Sequence, residues 1–137
     1  MDVARLIDEA IIARTNSYAP YSKFKVGCAI ALKNGKVIRG TNIENKSYGL
    51  TICAERVALF KMVSEGLTKY DVEAILIIGD TKEPITPCGA CREVMYELLL
   101  PETKVILANM ERDTLEIKVS DLLPLSFKME NWYGFWI

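Results

Sequence analysis

The chain has 137 residues, half of them apolar, which is enough sequence for a single domain spanning 1–137 with its own buried core. Seventeen basic side chains stand against eighteen acidic ones for a net charge of −1, with no basic run, which disfavours a surface that tracks nucleic-acid phosphates. No apolar run reaches membrane-spanning length, and the start, Met1-Asp2-Val3-Ala4-Arg5, lacks the basic-then-apolar layout of a signal peptide. A cytoplasmic location is expected, where thiols stay reduced and four cysteines point to metal or catalysis before disulfides.

Apolar positions Val3, Leu6, Ile7, Ala10, Ile11 and Ala13 recur at helical spacing, so a helix is expected over 3–18. Pro20 ends it, because a residue before proline avoids the helical region. Residues 24–32 and 36–42 read as paired strands around Asn34-Gly35, a dipeptide that favours the type I′ turn of a two-residue hairpin. A mostly apolar helix follows over 54–65, with Gly66 placed as its C-terminal cap. The continuous apolar run over 72–79 reads as a strand buried on both faces. A helix over 89–100 stops at Pro101, and short strands are expected over 104–109 and 114–119.

This order predicts a three-layer α/β/α sandwich on a five-stranded mixed sheet. Only Met110, Glu111, Arg112 and Asp113 separate the last two strands. A parallel crossover needs a dozen residues or more, so those strands must run antiparallel if they are neighbours.

The chemistry concentrates in Cys53-Ala54-Glu55 and Pro87-Cys88-Gly89-Ala90-Cys91, each at the expected start of a helix. Cys88 and Cys91 are spaced to share one face of a first helical turn, and helix N-termini favour thiolates. Three thiolates match the ligand count of a catalytic zinc, which leaves its fourth position to water. The chain has no histidine, so imidazole ligation and imidazole base catalysis are excluded and acid–base work falls to carboxylates, of which Glu55 is the placed one. Three thiolates leave the site at −1; Arg56 and Arg92 are the cations placed to offset that charge by donating to ligand sulfur. Cys28, with no partner motif, reads as a small buried strand residue.

These two motifs resemble the [HC]-x-E…P-C-x-x-C pattern of the zinc-dependent nucleobase and nucleoside deaminases. With Pro20-Tyr21-Ser22-Lys23-Phe24-Lys25-Val26-Gly27, Asn42-Ile43-Glu44-Asn45 and Leu122-Leu123-Pro124-Leu125-Ser126-Phe127, the likeness extends to the small homotetrameric cytidine deaminases. The resemblance implies one zinc per subunit on Cys53, Cys88 and Cys91, with Glu55 carrying protons from water to N3 of cytosine and to the departing amino group. It implies that Phe24 packs on the pyrimidine, Asn42 and Glu44 bond the ribose hydroxyl, and the Ala54 N–H meets the base carbonyl. It also implies that Tyr48 and Phe127 reach a neighbouring subunit's site, and it tips Arg56 toward the charge-offsetting role. The short last hairpin fits the free-nucleoside branch rather than the nucleic-acid-editing one. The chain departs from the family pattern at Asn131-Trp132-Tyr133-Gly134-Phe135-Trp136-Ile137, whose aromatics are expected on a subunit interface or over the substrate entrance.

Other readings stay open at this point. Cys88-Gly89-Ala90-Cys91 also suits a thiol–disulfide redox pair, although that leaves Cys53 and Glu55 without roles. A purely structural zinc would need a fourth protein ligand, for which only Cys28 remains. Within the enzyme reading, the alternative substrate is a modified cytosine nucleoside, such as an aminoacyl-nucleoside antibiotic or an N4-substituted cytidine.

Overall fold

In a computed structural model, which describes residues 1–128, the elements follow the expected order with one addition. They are α1 (Val3–Arg14), β1 (Val26–Leu32), β2 (Val37–Thr41), α2 (Ala54–Ser64), β3 (Val72–Gly79), α3 (Gly89–Leu98), β4 (Lys104–Asn109), β5 (Thr114–Lys118) and α4 (Val119–Leu122). The strands form one sheet in the order β2-β1-β3-β4-β5. Only β3 and β4 run parallel, and the short connection makes β4 and β5 antiparallel as the chain length required.

Strand alternation sorts the core into two halves. On one face Cys28, Ile30, Leu32, Ile75, Ile77, Val105 and Leu107 pack with Ala58, Leu59 and Met62 of α2, Met95 of α3 and Leu122 of α4. On the other, Ala29, Ala31, Ala74, Leu76, Ile78, Ile106 and Ala108 receive Leu6, Ile7 and Ala10 of α1. The sheet is thus covered on both sides, and α2 and α3 lie together on one of them. No described helix is long and apolar enough to cross a membrane.

Beside shifts of one or two residues at several element ends, three departures from expectation have a tertiary or local reason. Helix α1 ends at Arg14 rather than at residue 18, because Tyr18 pairs instead with the strand exit: its N–H bonds Asn42 O at 3.1 Å and its carbonyl accepts from Glu44 N at 2.8 Å. The β1–β2 turn is not the two-residue type. Gly35 N–H closes on Leu32 O at 3.0 Å and only Gly35 takes a left-handed φ (+87°), so residues 33–35 form a three-residue loop. Asn34 does not adopt the positive φ that type I′ demands; its side chain instead accepts from Lys36 N–H at 2.9 Å. The four-residue α4 had no periodicity to announce it, and Lys118 N–H bonding Asp121 Oδ2 at 3.0 Å starts it.

Gly40 fixes how close α2 lies to the sheet. A Cβ at this position would stand 2.5 Å from both Ala54 O and Ala58 N. The absent side chain therefore lets the first turn of α2 sit directly on β2. Gly40→Ala is expected to destabilise the fold by about 1–3 kcal/mol through forced displacement of that turn. Urea unfolding, with Gly35→Ala as a control strained only through its φ, measures the difference.

Candidate active site

The site begins with strand register. Thr41, the last residue of β2, pairs with Gly27, while Gly79, the last of β3, pairs with Val26. Both strands therefore end on one edge of the sheet, and the chain leaves each to start a helix on the same face. Cys53 is the N-cap of α2 and Cys88 the N-cap of α3, with Cys91 in the third helical position. Neither N-cap thiol bonds its helix backbone.

Three sulfurs are brought together as a result. Cys53 Sγ lies 3.9 Å from Cys88 Sγ, Cys88 Sγ lies 3.5 Å from Cys91 Sγ, and all three fall within 4.8 Å of one another. Ligands about 2.3 Å from a tetrahedral centre stand ~3.8 Å apart, so this triangle has the size of one face of a zinc–thiolate tetrahedron. Cys28, buried on β1, is outside it.

Charge is distributed unevenly over the triangle. The Cys53 thiol is drawn down to about 5, first by the hydrogen bond from Cys91 and then, against its own burial, by the Arg56 guanidinium. The same hydrogen bond to Cys53, reinforced by burial and by Glu55, pushes Cys91 far up. Arg56 Nη2 donates to Cys53 Sγ at 3.5 Å, while its Nε is buried with no hydrogen-bond partner among the described residues. A part-buried guanidinium whose shielded Nε keeps a spare donor fits a site more negative than neutral thiols make it. Glu55 is itself buried, hydrogen-bonded to Cys91, and raised above the usual carboxylate range chiefly by desolvation.

Arg92 is placed elsewhere. Its Nε donates to Pro87 O at 2.8 Å and its Nη1 to Leu122 O at 3.3 Å. It thereby ties the loop before Cys88 to the end of α4, and its hydrogen bonds run to carbonyls instead of sulfur.

Ala54, Phe24, Asn42 and Glu44, also singled out from the sequence, gather around the same sheet edge. Ala54 is fully buried in the first turn of α2, where backbone N–H groups lack intrahelical acceptors. Phe24 is part-exposed, and its ring tip lies 3.3 Å from the place a Cβ on Gly79 would occupy, which puts it over the end of β3. Asn42 Oδ1 accepts from Val26 N–H at 3.0 Å and from Ser17 Oγ at 2.5 Å, and its Nδ2 donates to Phe24 O at 2.8 Å. Those backbone partners fix the amide orientation. Glu44 Oε1 accepts from Tyr21 N–H at 3.0 Å and Ser22 N–H at 3.1 Å, and Oε2 accepts from Ser22 Oγ. Tyr48 is exposed and meets Tyr21 of its own chain edge-on, with ring centroids 6.4 Å apart. Phe127 is also exposed, and the aromatic tail 131–137 lies outside the described residues.

Sequence reasoning gave no part to Ser17 or Ser22, the hydroxyls that complete these contacts, nor to Asn109. Asn109, fully buried at the end of β4, holds the loop before Cys88 by donating to Lys82 O at 2.8 Å. The signal for Ser22 was present in its setting, a hydroxyl in a proline-led turn. The signal for Asn109 was a polar residue closing an apolar strand.

Comparison with known proteins agrees with this geometry. The family model described as "Cytidine and deoxycytidylate deaminase zinc-binding region" matches residues 2–107. A cytidine deaminase of Halalkalibacterium halodurans is 58% identical over 131 residues, covering 96% of this chain and 98% of that protein. One from Sporosarcina psychrophila is 44% identical, covering 96% and 95%. The crystal structure of cytidine deaminase from Burkholderia pseudomallei superposes with a TM-score of 0.90 at 49% identity, covering 93% of this chain and 100% of that one.

The Glu44 contacts set a pH dependence. The Ser22 hydroxyl, with the Ser22 and Tyr21 N–H groups, stabilises the ionised carboxylate and holds Glu44 below its ordinary value. A depressed folded-state pKa contributes stability above the unfolded value of about 4.3 and loses it as pH falls through the folded value. The thermal-stability advantage of the parent over Glu44→Gln should therefore be full at neutral pH and vanish in acid. An advantage constant from pH 7 to pH 3 would contradict the assignment.

Proposed function

The chain belongs to the cytidine and deoxycytidylate deaminase family, and on that premise we propose that it hydrolyses cytidine and 2′-deoxycytidine to uridine and 2′-deoxyuridine with release of ammonia. The observation that carries the reading is the triangle of Cys53, Cys88 and Cys91 beside the buried carboxyl of Glu55. Cys53, Cys88 and Cys91 would hold the zinc, which when bound would supply Lewis acidity that lowers the pKa of water toward ~7.

The rest of the work falls to the chain's own groups. Glu55 takes a proton from the attacking water, gives one to ring N3, and carries one to the amino nitrogen as the C4–N bond breaks and the water oxygen stays on C4. Burial keeps this carboxyl away from bulk water, so the protons it moves are those of the reactants. Arg56 offsets the negative charge of the thiolates through Cys53. The Ala54 N–H bonds the base carbonyl and Phe24 packs on the ring.

Hydrogen-bond counting supports a sugar contact at Asn42 and Glu44. Asn42 Oδ1 has both lone pairs engaged and Nδ2 keeps one free N–H, while Glu44 Oε1 is full and Oε2 keeps a lone pair. One free donor beside one free acceptor matches one hydroxyl, which accepts once and donates once. A site that specifies a single hydroxyl accepts both ribose and deoxyribose, since the two share the 3′ position.

We also infer a homotetramer in which Tyr48 and Phe127 complete a neighbour's site. Exposed Ile43, Leu50, Phe60 and Val63 support it, because apolar groups on this scale cluster where another surface covers them. Ile43, Leu50 and Phe60 line one open groove of about 450 Å³. Four free cysteines fit a reducing, cytoplasmic setting.

Glu55→Gln should keep about one zinc per chain and lose turnover by roughly 10²–10⁴-fold, as removal of a proton carrier does; normal activity in that variant would refute the mechanism. Cys88→Ser should lose metal on dialysis and melt earlier than the parent, because ligand binding contributes to folding at such sites. Ultraviolet assays should find cytidine and 2′-deoxycytidine converted and 3′-deoxycytidine poorly used. Equal use of all three would remove the hydroxyl contact.

A further inference from the structure

Phe24 is held by both of its main-chain groups. Its carbonyl accepts from Asn42 Nδ2 at 2.8 Å, and its N–H donates to Ser22 Oγ at 3.0 Å. Ser22 Oγ in turn donates its own proton to Glu44 Oε2. A hydroxyl has one proton and two lone pairs, so this single atom can accept from Phe24 and donate to Glu44 at once, which an ionised carboxylate in its place, having no proton to give, would not do. Next to it, Lys23 is forced into a left-handed conformation (φ +62°), a geometry that persists only where its surroundings dictate it. Lys23 N–H closes back on Ala19 O at 3.0 Å, so the turn is pinned at its base as well.

We propose that Ser22 is a positioning residue: its hydroxyl relays the Glu44 carboxylate to the Phe24 N–H and so sets the aromatic platform on which the pyrimidine packs. The proposal rests on the reading of Phe24 as the base-packing residue. It gives the sugar-side carboxylate a second task, since the group that meets the sugar also sets, through Ser22, the ring that meets the base. The hydrogen bonds of Ser22 run to Glu44 and Phe24, and none runs to Cys53, Cys88 or Cys91.

The test is a set of variants assayed as zinc-loaded protein with cytidine. Ser22→Ala should raise KM about tenfold while kcat stays within about twofold, because ring placement acts on binding and the proton carrier is untouched. Ser22→Thr, which keeps the hydroxyl, should restore most of the loss. In a Phe24→Ala background Ser22→Ala should cost clearly less than in the parent, since the part of its effect that places the ring has nothing left to act on and only the part exerted through Glu44 remains. Additive losses in the double variant, or a Ser22→Ala protein with parental KM, would overturn the proposal. Failure of the underlying reading looks different: it appears as an unaltered chain that does not turn over cytidine, or as a Phe24→Ala protein with parental KM.

Discussion

Everything in the site depends on three sulfur atoms meeting, and that depends on two strands ending in register. Cys53 and Cys88 are separated by all of α2 and all of β3, yet their sulfurs stand 3.9 Å apart because Thr41 and Gly79 sit on neighbouring rows across β1. A one-residue slip in either pairing would turn the strand's side chains over and carry its helix with it. The burial of β1 along its whole length, and of β3 everywhere but Glu73, opposes that slip, so the hydrophobic core is what holds the ligand triangle to size. Gly40 makes the last adjustment by letting α2 rest on β2 without a side chain between them.

The two arginines beside the ligands show how that frame divides labour. Arg56 lies within the first turn of α2 and reaches Cys53. Arg92, with the same side chain and still nearer to a ligand in sequence, turns to the carbonyls of Pro87 and Leu122. The first acts on charge. The second acts on architecture, joining the loop that delivers Cys88 to the short helix α4 that starts the C-terminal segment. An arginine suits either task because its planar fork can satisfy a soft anion or two fixed carbonyls.

Much of this was legible in the sequence where cause is local. The bounds of β3 and β4 follow from apolar runs closed by Gly79 and Asn109, and the cysteine spacing gives the helix starts. What the sequence concealed were decisions made at a distance. Helix α1 stops early because Tyr18 finds a strand partner, and Asn34-Gly35 makes a longer turn than the dipeptide alone suggests. At the site, residue types at positions 42 and 44 suggested sugar contacts, but their bonds to residues 17–26 are fixed only by the fold, since those partners lie 16 to 25 positions away. Arg56 and Arg92 could not be told apart at all without knowing which neighbours the helices meet.

The bracing of the Phe24 loop has an evolutionary consequence. Asn42 and Glu44 each support a backbone segment with the same side chain that is proposed to meet the sugar. Any replacement at either position therefore changes two properties at once, and a lineage cannot drift toward a different sugar by single steps at these sites without also unsettling the aromatic beside them. Divergence is channelled to positions without such pleiotropy.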